Sequence, residues 1–233
     1  MKKSILCTIC MRAGSQGVKN KNLKLINGKP LMYYTIKQAI KSKLFDKIIV
    51  TTDSKKIFKM ARSHGAHGWF LRPKSMSLNT SEKSQAIRHA LYKTEKFYNK
   101  KFDMIFDLDV TSPLRKTEDI KNAYNFFIRK NANILLSGCK SKKNPYFNMV
   151  EVKNGKLKRV KKLKKNIYRR QDAPATFDCN ASIYIWKRKS LIKFKSFYTK
   201  KTVFYEMPES RSIDIDSDFD FKLVEFLLKE KKI

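Results

Sequence analysis

Short apolar segments alternate along this chain with segments of helical period, and this alternation constrains the fold more than any other feature. Four segments rich in Ile, Val, Leu and Phe are predicted strands, at residues 5–11, 47–52, 104–108 and 134–137. The stretches between them place apolar side chains three and four residues apart, as helices do, at residues 31–42, 55–64, 82–98 and 117–129. The alternation predicts an α/β fold whose mainly parallel sheet is covered on both faces.

The alternation ends after residue 138, and the next part of the chain is of a different kind. Residues 139–201 contain a Lys-rich run, short strand-like pieces and many aromatic residues. We predict that residues 139–201, hereafter the arm, leave the main sheet and pair with another subunit. Residues 1–138 and 202–233 form the predicted α/β core. The core is expected to end on an amphipathic helix whose apolar residues are Phe219, Leu223, Phe226 and Leu227.

The chain is strongly basic, with 53 Lys and Arg residues against 20 Asp and Glu and a formal net charge of +33. Because 42 of the basic residues are Lys and they are spread along the sequence, a solvated surface is the expected reading. Attraction of small anions and nucleic-acid binding stay open as alternatives, with residues 156–165 as the densest basic run. No uncharged apolar run approaches the roughly 18 residues of a membrane span, so we expect a cytoplasmic protein without a membrane partner.

The four cysteines indicate packing rather than redox chemistry. A C-x-x-C pair lies inside the first predicted strand, whereas redox pairs stand where a strand opens into a helix. No Cys and His pair has the spacing of a zinc site. The cysteines are Cys7, Cys10, Cys139 and Cys179.

A loop of small residues follows the first predicted strand. Small residues allow backbone N–H groups to approach a phosphate, and ligands collect at the carboxyl edge of a parallel sheet. The spacing matches neither G-x-G-x-x-G nor the P-loop. Arg12 and Lys21 flank the loop as two cations that could grip a polyphosphate. The alternative interpretation is a plain tight turn.

Carboxylates occur where predicted strands end, at Asp53, Asp107 and Asp109, and again near the carboxyl terminus. In an extended segment Asp214 and Asp216 share one face, because side chains alternate. Two such carboxylates repel each other by roughly 1 to 4 kcal/mol unless a cation lies between them. Oxygen ligands of this kind suit Mg²⁺. Capping of a turn or of the following helix is the alternative role for Asp53 and for Asp216.

Together these segments resemble the acylneuraminate cytidylyltransferases, the CMP-sialic acid synthetases. The resemblance implies a Rossmann-like nucleotidyltransferase fold, with an inserted arm that forms a homodimer. It also implies a reaction of CTP with a nine-carbon α-keto acid sugar, which gives a CMP-sugar and pyrophosphate. The motifs, in order, are Arg12-x-Gly14-Ser15-x-Gly17, Lys21-Asn22, Arg72-Pro73, Thr111-Ser112-Pro113-Leu114-Arg115, Arg170-Gln171-x-x-Pro174, Asn180-Ala181-Ser182-Ile183-Tyr184 and Ser212-Ile213-Asp214-Ile215-Asp216.

The resemblance also implies site residues, position by position. The nucleotide-binding residues are Arg12, Ala13, Gly14, Ser15, Lys21, Asn22, Arg72, Thr80 and Ser81. The sugar-binding residues are Asp109, Ser112, Arg115, Arg170, Gln171, Asn180 and Tyr184, together with Phe197 and Tyr198, which would line the neighbouring subunit's pocket. The metal ligands for Mg²⁺ are Asp214 and Asp216.

Three departures from the N-acetylneuraminate enzymes lie near the implied sugar site. Asp109-Val110 stands where those enzymes usually have Gln-Pro, Ala181-Ser182 stands for Gly-Ala, and Phe147 stands for a Lys. The departures resemble the bacterial branch that acts on legionaminic-type acids. A synthetase for an eight-carbon keto acid and a nucleic-acid-binding module are the alternatives.

The expected mechanism begins with the cancelling of charge, because the sugar carboxylate and the triphosphate are both anionic. The expected catalytic residues are Arg12, Lys21, Asp109 and Asp216, with Arg12 and Lys21 on the departing pyrophosphate. Asp109 could be a metal ligand or a base. The three histidines lie in or beside surface-looking helices and are not expected to be catalytic: His64, His67 and His89.

Overall fold

The computed structural model of the protein describes residues 3–15, 17–164 and 167–230. The described helices are α1 (Leu31–Ser42), α2 (Lys55–Ser63), α3 (Lys83–Tyr98), α4 (Thr117–Arg129), α5 (Arg188–Lys193) and α6 (Asp218–Lys229). The described strands are β1 (Ile5–Cys10), β2 (Leu25–Ile26), β3 (Lys29–Pro30), β4 (Lys47–Thr51), β5 (Met104–Leu108), β6 (Ile134–Lys140), β7 (Val150–Lys153), β8 (Lys156–Arg159), β9 (Phe177–Lys187) and β10 (Thr202–Glu206). Each predicted core strand and helix is therefore present, with ends shifted by a few residues at most.

Six of these strands form one sheet in the order β10-β6-β9-β5-β1-β4. Strand β1 pairs in parallel with both β4 and β5, and β10 pairs in parallel with β6. Strand β9 is antiparallel to both of its neighbours, β5 and β6. The prediction of an α/β fold with a mainly parallel sheet is confirmed. Because β1, β4 and β5 run the same way, their carboxyl ends share one edge.

Helices cover both faces of the sheet. The core on one face includes apolar residues of α1, α2, α4 and α6, and the core on the other face includes residues of α3 and α5. Strand β1 shows the reason, because Cys7 and Ile9 belong to the first core while Leu6 belongs to the second. Side chains that alternate along a strand point to opposite faces, so a strand buried on both sides is apolar throughout.

The arm differs from the expectation of a segment outside the main sheet. Its strand β9 lies between β5 and β6, at the centre of the sheet, and Ile183 and Ile185 are fully buried there. The part that leaves the sheet is the stretch between β6 and β9, which carries the hairpin of β7 and β8. Every residue of those two strands is exposed. The basic run at residues 156–165 begins in β8, and its last residue lies outside the described part of the chain.

The final helix α6 is amphipathic as predicted, but its buried face differs. Phe221 and Val224 are buried, whereas Phe219 and Phe226 are exposed. The helix begins at Ser217, whose side chain accepts a hydrogen bond from the Asp220 backbone N–H while the Asp220 carboxylate accepts one from the Ser217 backbone N–H. This capping box satisfies backbone N–H groups at the start of the helix. Among the helices of the described residues, none is long and apolar enough to cross a bilayer.

Candidate active site

A cavity of about 440 Å³ lies at the carboxyl edge of β1 and β5. It collects residues that are far apart in the sequence, from the loop after β1, from the segment before α3 and from the segment before α6. Eight of the residues expected to be functional line it: Arg12, Ser15, Lys21, Asn22, Arg72, Ser81, Asp109 and Asp216. The cavity is therefore the candidate active site.

The loop after β1 is held in place from both sides. The Ala13 backbone N–H donates to Asp53 Oδ1 at 2.9 Å, and Asn22 Nδ2 donates to the Arg12 carbonyl at 3.0 Å. The Arg12 guanidinium donates to Asn79 Oδ1 at 2.5 Å, which fixes it at the cavity wall. Asp53 thus braces the loop, as in the capping alternative considered for it.

The loop and the carboxyl-terminal segment meet directly. Lys21 Nζ donates to the Ile215 carbonyl at 2.5 Å and lies 3.4 Å from Asp216 Oδ1. A Cβ at Gly17 would stand 1.8 Å from the Asp216 carbonyl oxygen, a distance that no side chain can occupy. Glycine is required at this position because the two backbones approach so closely. Lys21 therefore meets Asp216, one of the two carboxylates expected there, whereas Asp214 is not among the residues that line the cavity.

Asp214 is a buried carboxylate without a full set of partners. Its Oδ1 is buried without a hydrogen-bond partner. Burial, followed by the negative charge of Asp109, raises the pKa of Asp214 to about 6, and Asp216 adds to this while a Thr111 hydrogen bond opposes it. An orphaned carboxylate oxygen next to a second carboxylate is the donor set that Mg²⁺ takes when it also binds phosphates and water. The pair fits Mg²⁺.

A metal ion held by Asp214 and Asp216 would have two carboxylate ligands from the protein. Among the described residues, no group of three or more His, Cys, Asp or Glu side chains could hold an ion. Magnesium commonly keeps several waters and uses one or two carboxylates together with substrate phosphates. A site of this composition would therefore depend on the substrate for its remaining ligands.

Arg72 and Ser81 are fixed by local hydrogen bonds. Arg72 is buried, and its Nε donates to Ser77 Oγ at 3.0 Å, while Ser81 Oγ donates to the Ser75 carbonyl at 2.7 Å. Thr80 is exposed and does not line the cavity, and neither do the expected nucleotide-binding residues Ala13 and Gly14.

Lys83, at the start of α3, was not predicted from the sequence. Its ammonium Nζ lies 2.6 Å from Asp107 Oδ2 and 2.6 Å from Asp109 Oδ2. Burial opposes the charged form of Asp109, but Lys83 and hydrogen bonds from Thr111 lower the pKa of this carboxyl to about 2. Among the described residues, four cationic side chains line the cavity: Arg12, Lys21, Arg72 and Lys83.

Three expected sugar contacts lie inside the protein instead of lining the cavity. Arg115 is fully buried and donates to the backbone carbonyls of Asp109 and Ser182. Ser112 is fully buried, and its Oγ donates to the Asn180 carbonyl at 3.2 Å. Asn180 donates to Ser212 Oγ at 3.0 Å and accepts from Ser137 Oγ at 2.7 Å. These side chains join β5, β6 and β9 at the carboxyl edge.

Ala181 shows the effect of one departure from the resembling family. Its φ is +51°, in the left-handed region, where the N-acetylneuraminate enzymes usually have glycine. A residue with a Cβ costs roughly 1 to 2 kcal/mol in this conformation. The hydrogen bonds of Asn180 on one side and of Ser182 on the other hold the backbone there.

Arg170 and Gln171 line a separate cavity of about 490 Å³ at the base of the arm. Arg170 Nη2 donates to the Ser141 carbonyl at 2.7 Å. The structure of the single chain therefore does not place these two residues in the cavity that holds Lys21 and Asp216.

The three aromatic residues expected at the sugar site divide into two groups. Tyr184 and Phe197 pack together, with ring centroids 5.6 Å apart, and Phe197 also contacts Trp186. Tyr198 has 77% of its surface exposed. Burial raises the pKa of Tyr184 to about 12 in spite of the nearby Lys83 ammonium. Of these three rings, Tyr198 is the most exposed, whereas Tyr184 and Phe197 are in contact with each other.

Of the described cysteines and histidines, only Cys10 lines the cavity. All four cysteines are free thiols, and Cys7 is fully buried in β1. Burial and nearby carboxylate Asp107 raise the pKa of both Cys7 and Cys10, which keeps these thiols protonated. None of the histidines lines the cavity.

Comparison with known proteins identifies the family of this chain. Residues 6–233 match the family model described as Cytidylyltransferase. Two Campylobacter proteins are each 43% identical to this chain over 229 residues, which cover 98% of this chain and 97% of theirs. They are "Post-translational flagellin modification protein B" of Campylobacter coli and "CMP-N,N'-diacetyllegionaminic acid synthase" of Campylobacter jejuni subsp. jejuni serotype O:2.

A solved structure of CMP:2-keto-3-deoxy-manno-octonic acid synthetase complexed with CTP is similar in fold. Its TM-score is 0.68 at 13% sequence identity, and the match covers 98% of this chain and 99% of that chain. A likeness at this identity concerns the fold alone. With the family model matched over residues 6–233 and the two relatives at 43% identity, the resemblance drawn from the sequence motifs is confirmed, and the chain belongs to the cytidylyltransferase family.

Proposed function

We propose that this protein transfers the cytidylyl group of CTP to a nine-carbon α-keto acid sugar in a Mg²⁺-dependent reaction that releases pyrophosphate. The observation that carries the proposal is the meeting of Lys21 with Asp216, across a contact so close that Gly17 admits no side chain. This contact brings the Lys21 ammonium to the Asp216 carboxylate, and Arg12 lines the same cavity. Family membership supplies the reaction type.

The chemical problem of this reaction is repulsion between two anionic substrates. One unit-charge pair about 4 Å apart costs on the order of 4 kcal/mol at an effective dielectric near 20. Arg12 and Lys21 are placed to neutralise the pyrophosphate as it leaves, because both line the cavity from the loop after β1. When bound at Asp214 and Asp216, Mg²⁺ would supply further positive charge for the phosphate oxygens.

A legionaminic-type acid is the sugar that we propose. The chain is 43% identical to a protein named CMP-N,N'-diacetyllegionaminic acid synthase. The departures at Asp109, Ala181 and Phe147 from the usual N-acetylneuraminate pattern agree with this choice. Asp109 and Thr111 line the cavity beside Asp216, where a sugar that attacks the α-phosphate must approach.

We propose in addition that the enzyme is a homodimer built through the arm. One face of the hairpin of β7 and β8 carries Val150, Val152 and Leu157, together with Arg159, which pairs with Val150. The three apolar side chains are exposed in the single chain. Tyr198 is exposed as well. A second copy of the chain that covers this face would bury apolar surface, which is the main source of association energy.

The proposed function is tested by incubating the protein with CTP, Mg²⁺ and a panel of nonulosonic acids while pyrophosphate release is followed. We expect release with at least one acid, highest with N,N'-diacetyllegionaminic acid. The variant Lys21→Met should lower kcat/KM by roughly a hundredfold, since one charge-stabilising donor is lost. Exposed Lys59→Met on α2 is the matched control and should retain wild-type kcat/KM. No pyrophosphate release with any acid would refute the proposal.

A further inference from the structure

Lys83 is the centre of a charged triad on the floor of the cavity. Its Nζ lies 2.6 Å from one oxygen of Asp107 and 2.6 Å from one oxygen of Asp109. The Asp107 side chain is 0% exposed, and its other oxygen, Oδ1, accepts a hydrogen bond from Thr8 Oγ1 at 2.7 Å. Asp109 is 18% exposed, and its other oxygen accepts from the Thr111 backbone N–H and hydroxyl. The triad is therefore rigid.

The Lys83 ammonium has three N–H groups, and it donates one hydrogen bond to the described residues, to Asp109 Oδ2. Asp107 Oδ2 is an ion-pair contact at 2.6 Å, and no further acceptor for this Nζ lies among residues 3–15, 17–164 and 167–230. The Lys83 side chain is 30% exposed and lines the cavity, and its Nζ lies 5.2 Å from the centroid of the Tyr184 ring. Lys83 thus lines the cavity beside an aromatic ring and keeps an N–H that a bound molecule can use.

The charge of the triad limits which substrate group can meet this N–H. One ammonium against the two carboxylates of Asp107 and Asp109 leaves one net negative charge. A phosphate or carboxylate oxygen beside Lys83 would lie close to both aspartates and be repelled by them. An uncharged acceptor, such as a hydroxyl or an amide carbonyl, accepts the hydrogen bond without that repulsion. The anionic groups belong instead at Arg12 and Lys21.

We propose that Lys83 is a specificity-determining residue that donates a hydrogen bond to an uncharged oxygen of the sugar substrate, a hydroxyl or an acylamino carbonyl. The proposal rests on the function proposed above. Lys83 and Asp109 line the same cavity as Lys21 and Asp216, in which the second substrate must reach the α-phosphate. Asp107 and Asp109 act as positioning residues, because they fix the direction of the remaining N–H.

The test compares steady-state kinetics of variants with N,N'-diacetyllegionaminic acid and N-acetylneuraminic acid, and CTP binding by calorimetry. Lys83→Met alone leaves the two aspartates uncompensated and endangers folding. The combined variant K83M/D107N/D109N removes the cation together with both carboxylates, so that no unpaired charge is buried. Lys83→Arg retains the charge balance but places its donors differently. Exposed Lys93→Met, on the same helix, is the matched control.

We expect the combined variant to raise the KM for the preferred sugar at least tenfold, and Lys83→Arg at least fivefold, with CTP affinity within threefold of wild type. Lys93→Met should leave both sugar KM values unchanged. A larger effect on the diacetamido sugar than on N-acetylneuraminic acid identifies an acylamino carbonyl as the acceptor, and an equal effect identifies a hydroxyl that both sugars share.

The inference is overturned if the folded variants keep the wild-type sugar KM, or if their effect falls on CTP affinity instead. Should the combined variant not fold, Lys83→Arg decides alone. Failure of the proposed function is distinguishable, because wild-type protein would then release no pyrophosphate with either sugar.

Discussion

Asp109 stands at the end of β5, where a carboxylate could be a base or a metal ligand. Its two oxygens are occupied, one by Lys83 and the other by Thr111. Despite burial, these partners lower its pKa to about 2, and a carboxylate of such low pKa is a weak general base at neutral pH. The contacts favour a positioning role for Asp109 over proton transfer.

The low pKa of Asp109 predicts a pH dependence of stability. Because the folded-state pKa lies below the unfolded value, the unfolded chain binds more protons, and stability is lost as pH falls below about 4. We expect Asp109 to account for about 1 kcal/mol of the loss in unfolding free energy between pH 5 and pH 3. Chemical denaturation of wild type and Asp109→Asn at both pH values measures this difference. Equal losses in the two proteins would contradict the Lys83 contact.

The sequence predicted many of the cavity residues but missed Lys83. Arg12 and Lys21 were found because they flank a loop after a first strand, and that context is local. Lys83 is one of 42 lysines, and nothing beside it in the sequence distinguishes it. Its position comes from the packing of α3 against β1, which brings Lys83 to Asp107 in β5 and to Asp109 just after that strand. Asn180 was predicted at the sugar site, yet its side chain makes hydrogen bonds with Ser137 and Ser212 inside the protein.

Two loops form the cavity by contact between distant elements, and Gly17 is where they touch. Gly17→Ala should push the loop away from the Asp216 carbonyl, because its Cβ would lie only 1.8 Å from that oxygen. We expect a loss of about 1 to 3 kcal/mol in unfolding free energy and at least a tenfold fall in kcat/KM.

Gly14→Ala is the matched control for the stability measurement on Gly17. A Cβ at Gly14 would have no atom within 4 Å, so its unfolding free energy should stay within about 0.5 kcal/mol of wild type. If chemical denaturation gave both variants wild-type stability, the close contact would not exist.

The elements that the sequence predicted well have strong local patterns, and those it missed depend on the rest of the fold. The core strands and helices were predicted from the spacing of apolar residues along the sequence. The central position of β9 does not, because only the pairing with β5 and β6 decides it. The hairpin of β7 and β8 did leave a signal, since Asn154 and Gly155 have φ of +53° and +71° and form an Asn-Gly turn.

The whole molecule is proposed to be a dimer through the apolar face of the hairpin. Val152 and Leu157 pair on that face and are 71% and 67% exposed. The double variant V152N/L157N should therefore weaken association and give a monomer in light scattering at micromolar concentration.

The matched control for this prediction lies on the opposite face of the same hairpin. Glu151 and Lys158 pair there, and E151N/K158N leaves the net charge unchanged. This variant should remain dimeric, as the wild-type protein is expected to be. A wild-type monomer, or a V152N/L157N dimer as tight as wild type, would contradict assembly through this face.

The central claim is that the loop after β1 and the carboxylates before α6 hold one CTP through Mg²⁺. Calorimetric titration of CTP, with Mg²⁺ and with chelator, tests it most directly in wild type and in D214N/D216N. We expect CTP binding by wild type that weakens at least tenfold without Mg²⁺, and no such dependence in the variant. Equal CTP affinity with and without Mg²⁺ in the wild-type protein would contradict the account.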